Sequence, residues 1–482
     1  MENYRERTVQ ALGWVFGSQL SSQAISFCFG IILARLLAPD DFGLIAMVMV
    51  FSGFAGLLSN AGFGSALIHK RDAGQLEYSS VFWLNITLGS TLAFLFFLSS
   101  SWISGFYLRP ELKEIVQLLG LSFIINALAL VPRIKLTKAL NFKTLTLADF
   151  SAMVISGLTG ITLAINGYGY WSLVFHVLIR DIVSACLVWI YGRWIPHLKF
   201  DLDSIKELFG FSFNVFLSQA VQYLAQKLDI IIIGRVMGGN SLGIYDKALS
   251  LMLFPLQNVS HVIANVMFPS LSMIQSDKER VKDVYLRCTR AISLLTFPMM
   301  VGMFVISESF VMGVLGEQWA ELIPVMQIFC ISGIVRSIVT VTGAIYLSQG
   351  ATSLQLKVTI LTKPITIAGV LAGVPWGVIG IAIGSSVANF INSIITLIAA
   401  GSTIDLKLTT LLKTLNPTLL AAISMGLFVT LISPLTSLET GVLLMIVQMI
   451  SGALFYWAII AIMKVRAYQD VMNVLKKQLS TR

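Results

Sequence analysis

The sequence predicts an all-α polytopic membrane protein of about fourteen transmembrane helices. These would form two six-helix bundles related by a parallel repeat, followed by two further helices. Three observations predict this: an apolar excess, a succession of helix-length apolar runs, and an internal duplication. Apolar residues make up 56% of the 482 and charged residues 12%, against roughly 25% charged in a typical soluble domain. At about 20 residues per crossing, the apolar total leaves room for roughly a dozen spans and little else. No loop is long enough for a soluble catalytic domain, so an ordinary cytosolic enzyme is excluded.

The runs lie at about 10–36, 42–68, 79–105, 113–132, 145–167 and 171–192 in the first half. They continue at about 208–237, 244–274, 289–314, 322–349, 354–375 and 377–401, with 414–434 and 441–463 at the end. Breakers punctuate the links, as at Ala38-Pro39-Asp40-Asp41, Gly167-Tyr168-Gly169-Tyr170 and Gly238-Gly239-Asn240-Ser241. Trp14, Trp102, Trp171, Trp194, Trp319 and Trp376 fall where interfacial aromatics are expected. The first run is too long for a signal-peptide core and should remain as a helix. Two links, Pro196 to Leu208 and Ile404 to Leu412, read as amphipathic helices lying on the membrane surface.

The formal charge is +9, and position explains it. Twenty-four of the 33 Lys and Arg fall on the side of the N-terminus and only Arg109, Lys113, Arg235 and Lys247 on the other. That bias predicts both termini in the cytoplasm and a topological role for the basic charge, with no nucleic-acid partner. Cys28, Cys186, Cys288 and Cys330 are scattered singly. They supply neither a metal site nor a disulfide framework, and no cofactor or catalytic residue is expected.

The duplication shows as Ser18, Gln19, Ile31, Ile32, Arg35 and Gly43 recurring 200 residues later as Ser218, Gln219, Ile231, Ile232, Arg235 and Gly243. A second echo pairs Gly169-Tyr170-Trp171 with Val374-Pro375-Trp376. Domains are therefore expected at 1–200, 201–408 and 409–482. Six helices per repeat return the chain to its starting side, so the halves should be related by an axis along the membrane normal, with substrate between them.

Polar stripes run along several spans. The first carries Gln19, Ser22, Gln23 and Ser26, the seventh Asn214, Ser218, Gln222, Gln226 and Asp229, and the eighth Asn258, His261 and Asn265. The tenth has Ser332, Arg336 and Thr340, and the twelfth Ser385, Asn389, Asn392 and Thr396. Such faces cannot point at lipid cheaply and predict a shared hydrated cavity, with helix-to-helix hydrogen bonding as the alternative. Arg180, Asp181, Lys227, Asp229, Arg336 and Lys363 lie well inside their spans and Asp149 less deeply. Each costs at least about 2.5 kcal/mol on insertion scales. Four such cations suggest an anionic ligand, and guanidinium groups suit phosphate. The expected cavity set is Arg180, Lys227, Arg336, Lys363, Gln23, Gln222, Asn258 and Asn389. Asp149, Asp181 and Asp229 would bind a coupling proton or sodium ion, or serve as counter-ions.

The stretch from Leu33 to Gly43, with Leu228-Asp229-Ile230-Ile231-Ile232-Ile233-Gly234, Leu242-Gly243-Ile244-Tyr245, Phe268-Pro269 and Gly316-Glu317-Gln318-Trp319, resembles the polysaccharide transporter family (Wzx-type flippases). That family belongs to the multidrug/oligosaccharidyl-lipid/polysaccharide exporter superfamily, and the likeness is greatest to its teichuronic acid and colanic acid exporters. It covers the whole chain. The resemblance implies a multi-pass flippase of the bacterial inner membrane that carries an undecaprenyl-pyrophosphate-linked oligosaccharide to the outer leaflet, without chemistry on the cargo. The cationic interior would meet the pyrophosphate and the polar stripes the sugars. By analogy with lipid II flippases, residues 414–463 would help form a groove for the lipid tail. Those relatives concentrate cavity arginines in the first half, whereas Lys227, Arg336 and Lys363 lie in the second. Two other functions compete: a cation-coupled multidrug antiporter of the same superfamily, which would need a more acidic or aromatic cavity, and a membrane-embedded polysaccharide polymerase, which would need paired carboxylates or a large loop.

Overall fold

A computed structural model describes residues 21–60, 64, 67, 74–436, 441–463 and 465–469. Their regular structure is helical, with no strand among them. In chain order the helices are α1 (Ser21–Leu36), α2 (Pro39–Asn60), α3 (Gln75–Tyr107), α4 (Leu112–Leu119), α5 (Leu121–Lys138), α6 (Phe142–Ile165) and α7 (Trp171–Gly192). Then come α8 (Leu202–Met273), α9 (Lys278–Phe310), α10 (Leu322–Val339), α11 (Thr342–Ser348), α12 (Thr352–Gly373), α13 (Gly377–Thr403), α14 (Leu408–Ile432) and α15 (Val442–Ile462). Ten described stretches are long and apolar enough to cross a membrane, one of them, Thr352–Thr403, taking in both α12 and α13. The expected fourteen goes beyond those ten.

Helix ends follow local chemistry. The Glu77 carboxylate accepts from the Gly74 N–H at 2.9 Å ahead of α3, and Asp277 accepts from the Arg280 N–H at 3.0 Å at the start of α9. Gly238, at φ 83°, divides α8 into two helices where the sequence reads Gly238-Gly239-Asn240. Pro132, Pro298, Pro364 and Pro417 lie within helices, a placement that transmembrane helices tolerate.

The expected surface helix at Pro196 to Leu208 is absent as such. Residues 193–201 are irregular, with Arg193 in the left-handed region and a bend at Leu198, and helix starts only at Leu202, continuous with α8. The reason is a set of polar anchors from the first turns of α3. Gln75 donates to the Ile195 carbonyl at 2.8 Å and Trp83 to the His197 carbonyl at 2.9 Å, while Ser79 and Ser80 accept from the N–H groups of His197 and Asp201. The second link, Ile404 to Leu412, is a turn that leads straight into α14.

The chain forms two compact units, Met1–Gly243 and Ile244–Arg482. In the first, α5 packs between α3 and α7, and α6 pairs with α7. Tyr78, Phe82, Val131, Ile134 and Trp194 make one apolar core, and Leu33, Leu37, Ala164 and Leu173 another. In the second, α9 packs against α10, α14 and α15, and α12 pairs with α13. Its core includes Tyr285, Phe297, Tyr346 and Tyr456, and the Tyr456 hydroxyl donates to the Leu294 carbonyl at 2.8 Å. The side chains left outside are apolar as well, Phe94 at 61% and Leu98 at 59% exposed being typical, which is what a lipid-facing surface requires.

The 200-residue offset has a physical counterpart inside the first unit. A Cβ on Gly43 would collide with the Gly239 carbonyl, and one on Gly243 with the Pro39 carbonyl. Positions 39 and 239, like 43 and 243, are repeat equivalents. The crossing is therefore one contact made twice with the partners exchanged, as in a two-fold interface.

Candidate functional site

Asp149 of α6 and Arg180 and Asp181 of α7 line a cavity of about 440 Å³ in the first unit, with Asn126 and Arg133 of α5, His176 and Ser184. Spacing explains the convergence: His176, Arg180 and Ser184 are four residues apart along α7 and share a face. Arg133 binds Asp149 through both ends of its guanidinium, at 3.0 and 2.7 Å. It also donates to Ser184 at 2.7 Å, and Ser184 donates to Asp149 at 3.0 Å. That triad consumes one cation and one anion. Asp181 accepts from the Asn126 amide at 3.2 Å. Arg180, exposed on the cavity wall, makes no ion pair with a described carboxylate, although Asp181 beside it lies within its electrostatic reach.

Arg133 was not among the expected cavity residues. The apolar run in the sequence ends at about 132 and Arg133 counts among the charges on the side of the N-terminus, whereas the helix α5 runs on through Pro132 to Lys138. The discernible signal is the basic residue flanking Asp149 at a distance a tight helical hairpin can close.

The remaining expected residues distribute as follows. Gln23 is half-buried in α1, and the Gln222 side chain lies outside the described residues, as do those of His261 and Asn265. Lys227 is half-buried in α8, and the Asp229 carboxylate accepts from the next N–H, that of Ile230, at 2.9 Å. Asn258 is half-buried in the second part of α8. In the second unit Arg336 of α10 and Lys363 of α12 lie within electrostatic reach of one another, bringing two expected cations together. Around them the polar stripes bond laterally: Asn389 donates to Ser332 at 2.8 Å and Asn392 to Thr366 at 2.9 Å.

A second recess, of about 340 Å³, opens in the second unit between α9, α14 and α15. Its wall is apolar, with Met299, Met303, Met425 and Met449, Gln448 and the Tyr456 hydroxyl being the polar exceptions. Gly302, Gly426 and Gly452 line it, one from each helix; the missing side chain of Gly302 leaves space open, while Gly426 and Gly452 pack closely against Val301 and Val429. Residues 414–463 thus supply two of its three walls. The His, Cys, Asp and Glu side chains among the described residues form no group able to hold a metal ion.

Comparison with known proteins agrees with this architecture. The chain is 26% identical over 399 residues to the lipopolysaccharide biosynthesis protein WzxC of Escherichia coli, covering 81% of this chain and 80% of that one. It is 31% identical over 304 residues to the teichuronic acid biosynthesis protein TuaB of Bacillus subtilis, covering 62% and 63%. Among solved structures it is similar to the lipid II flippase MurJ in an inward closed conformation, with a TM-score of 0.77 at 15% identity over 94% of this chain and 98% of that one. An inward-facing multidrug transporter of the MATE family gives 0.62 at 15% identity, over 82% and 96%. At such identities the structural likeness establishes the shared fold of polytopic helical transporters. Residues 32–324 match the model of the polysaccharide biosynthesis protein family; the chain, a multi-pass membrane protein, belongs to that family.

Proposed function

We propose that the protein is a flippase that moves an undecaprenyl-pyrophosphate-linked oligosaccharide across the bacterial inner membrane by alternating access, for surface polysaccharide biosynthesis. The observation that carries this reading is the pair of unlike recesses: a charged, hydrogen-bonding cavity in one unit and an apolar groove in the other. A lipid-linked glycan needs both kinds of surface, since its pyrophosphate and sugars want donors and its prenyl chain wants hydrocarbon. Relatives concerned with lipopolysaccharide, teichuronic acid and succinoglycan support the cargo class. Arg180 is the phosphate ligand in the first unit, with Lys227, Arg336 and Lys363 as the other cations met during passage. Gln23, Gln222, Asn258 and Asn389 serve the sugars, and the tail lies against α14 and α15.

No bond of the cargo is made or broken, and both termini are cytoplasmic. A proton or sodium ion drives the cycle. Of the three candidate carboxylates, Asp149 is held by Arg133 in a bidentate pair, and Asp181, which accepts from the Asn126 amide with Arg180 and Arg133 within electrostatic reach, is the coupling site we favour. The domain plan remains two six-helix bundles, 1–200 and 201–408, with residues 409–482 appended.

The test is lipid analysis of a deletion strain. Accumulation of one undecaprenyl-pyrophosphate-linked glycan on the cytoplasmic leaflet supports the reading and names the cargo. Sensitivity to cationic drugs without such accumulation would refute it in favour of the multidrug antiporter whose fold it shares. Exchange of Lys227 and Arg336 together for Gln should abolish export while leaving membrane insertion intact.

A further inference from the structure

The irregular segment 193–200 reads Arg-Trp-Ile-Pro-His-Leu-Lys-Phe, and Asp201, which follows it, is the one acidic residue of the non-helical stretch. It is held against the start of α3 by hydrogen bonds donated by Gln75 and Trp83 to the Ile195 and His197 carbonyls, by those that Ser79 and Ser80 accept from His197 and the adjoining Asp201, and by Trp194, which is buried and donates to the Gln75 side chain at 2.8 Å. The rest faces outward: Ile195 is 77% exposed, Leu198 90% and Phe200 50%, alongside exposed Arg193, His197 and Lys199. Irregular backbone is excluded from hydrocarbon unless its polar groups are satisfied, and here α3 satisfies part of them. Apolar side chains beside cations, on a strap whose inner edge is hydrogen-bonded, describe a segment suited to the headgroup layer.

Lys135 completes the arrangement. It lies near the end of α5 with its ammonium 5.4 Å from the centre of the Tyr78 ring and 5.6 Å from that of Trp194. It forms no ion pair with a described carboxylate, and its partners are aromatic faces. The Lys138 ammonium, which donates to the Leu67 carbonyl, lies 5.8 Å from the centre of the same Tyr78 ring. A half-buried ammonium between two rings, beside a basic strap, is poised to take a phosphate.

We propose that Lys135, Tyr78 and the 193–200 strap form an interfacial site for the phosphate headgroup of an anionic bilayer lipid, a resident lipid rather than the cargo. Charge complementarity selects this occupant: the strap and the Lys135 notch present four formal or titratable cations, Lys135, Arg193, His197 and Lys199, and exposed aliphatic groups that would enter the acyl boundary. The inference does not rest on the flippase reading, because a channel or an antiporter could hold the same lipid.

The experiment uses the full-length protein in neutral detergent, titrated with short-chain phosphatidylglycerol or phosphatidylcholine, with bound lipid counted by native mass spectrometry. Phosphatidylglycerol is expected to be retained in preference. Retention should fall about fivefold in K135Q and by a similar factor for each cation removed in R193Q/K199Q, while K135R keeps it. The I195S/L198S variant, altered only on the exposed strap, should also lose affinity, which covers the case in which K135Q fails to fold. Equal retention of the two lipids, or unchanged phosphatidylglycerol binding in these variants, would overturn the site. Full displacement by excess inorganic phosphate would overturn the lipid as its occupant.

Discussion

The two recesses are of similar size, about 440 and 340 Å³, yet they are built by opposite means. The cavity of the first unit is walled by side chains that hold one another, with Arg133, Asp149 and Ser184 closing a ring of hydrogen bonds and Arg180 left over. The groove of the second unit is walled by apolar side chains, adaptable methionines among them, with Gly302 opening volume and Gly426 and Gly452 letting the helices close in on their valines. Polar geometry is fixed by partners, and apolar volume by small residues. Substitutions in the cavity should therefore act through charge, and those in the groove through volume.

The largest expected effect breaks that contrast at its functional ends. Arg180→Gln removes the cavity cation while leaving the Arg133 triad intact. A hydrogen bond to a charged group is worth about 1.5–3 kcal/mol, so export of surface polysaccharide by a complemented deletion strain should fall by about tenfold or more at unchanged protein level. Gly302→Phe should match it from the other side: a Cβ there meets only the Met425 methyl at 3.8 Å, so the ring occupies the groove without striking backbone. Wild-type export from Gly302→Phe would show that no lipid tail uses the groove.

Next in size is the triad itself. Arg133→Met leaves the Asp149 carboxylate with only a hydroxyl for company, and breaking a fully buried pair costs about 3–5 kcal/mol. The two side chains are 37% and 46% exposed, which reduces the expectation to about 1–2 kcal/mol. Thermal unfolding in detergent reads it, and the double variant Arg133→Met/Asp149→Leu should recover most of the loss. No recovery would mean that the arginine acts through packing. In the groove the comparable change is Gly426→Ala, whose Cβ would lie 2.6 Å from Val301. Overpacking should lower stability by about 1 kcal/mol or more, with no charge-reversing partner able to rescue it.

How much of this was legible in the sequence follows from what each feature depends on. The helices, with their breaks at Gly167-Tyr168-Gly169 and Val374-Pro375-Trp376, depend on local composition and were readable. The Gly43 and Gly243 crossing was half-readable: the repeat shows in the letters, but only the backbones reveal that each glycine admits its partner's carbonyl. Arg133 was missed because the apolar run stops just before it, and only the continuing helix sets its guanidinium beside Asp149. The part of the expected Pro196 to Leu208 helix before Leu202 was misread because a helical pattern of apolar and basic residues says nothing of Gln75, Trp83 and the two serines that hold it out of a helix from over a hundred residues away. The polar stripes were visible as stripes, but Asn389 and Asn392 bond to neighbouring helices, a choice the stripe alone leaves open.

The smallest expected effect sharpens the comparison by setting one amide against another. Asn389 donates to Ser332 across two helices at 2.8 Å, and Asn389→Leu should cost about 0.6 kcal/mol, the average for such bonds within a membrane. Gln448 stands on the wall of the apolar groove, donating to Ser433 at 2.8 Å while its buried carbonyl oxygen meets no donor among the described residues. Gln448→Leu forfeits one bond but removes an orphaned acceptor, whose desolvation alone costs about 1–3 kcal/mol. Stability should therefore stay level or rise, as read by the same thermal unfolding. A clear loss on Gln448→Leu would mean that this oxygen is satisfied in the membrane by a donor from outside the chain, and that the groove is less purely apolar than its wall.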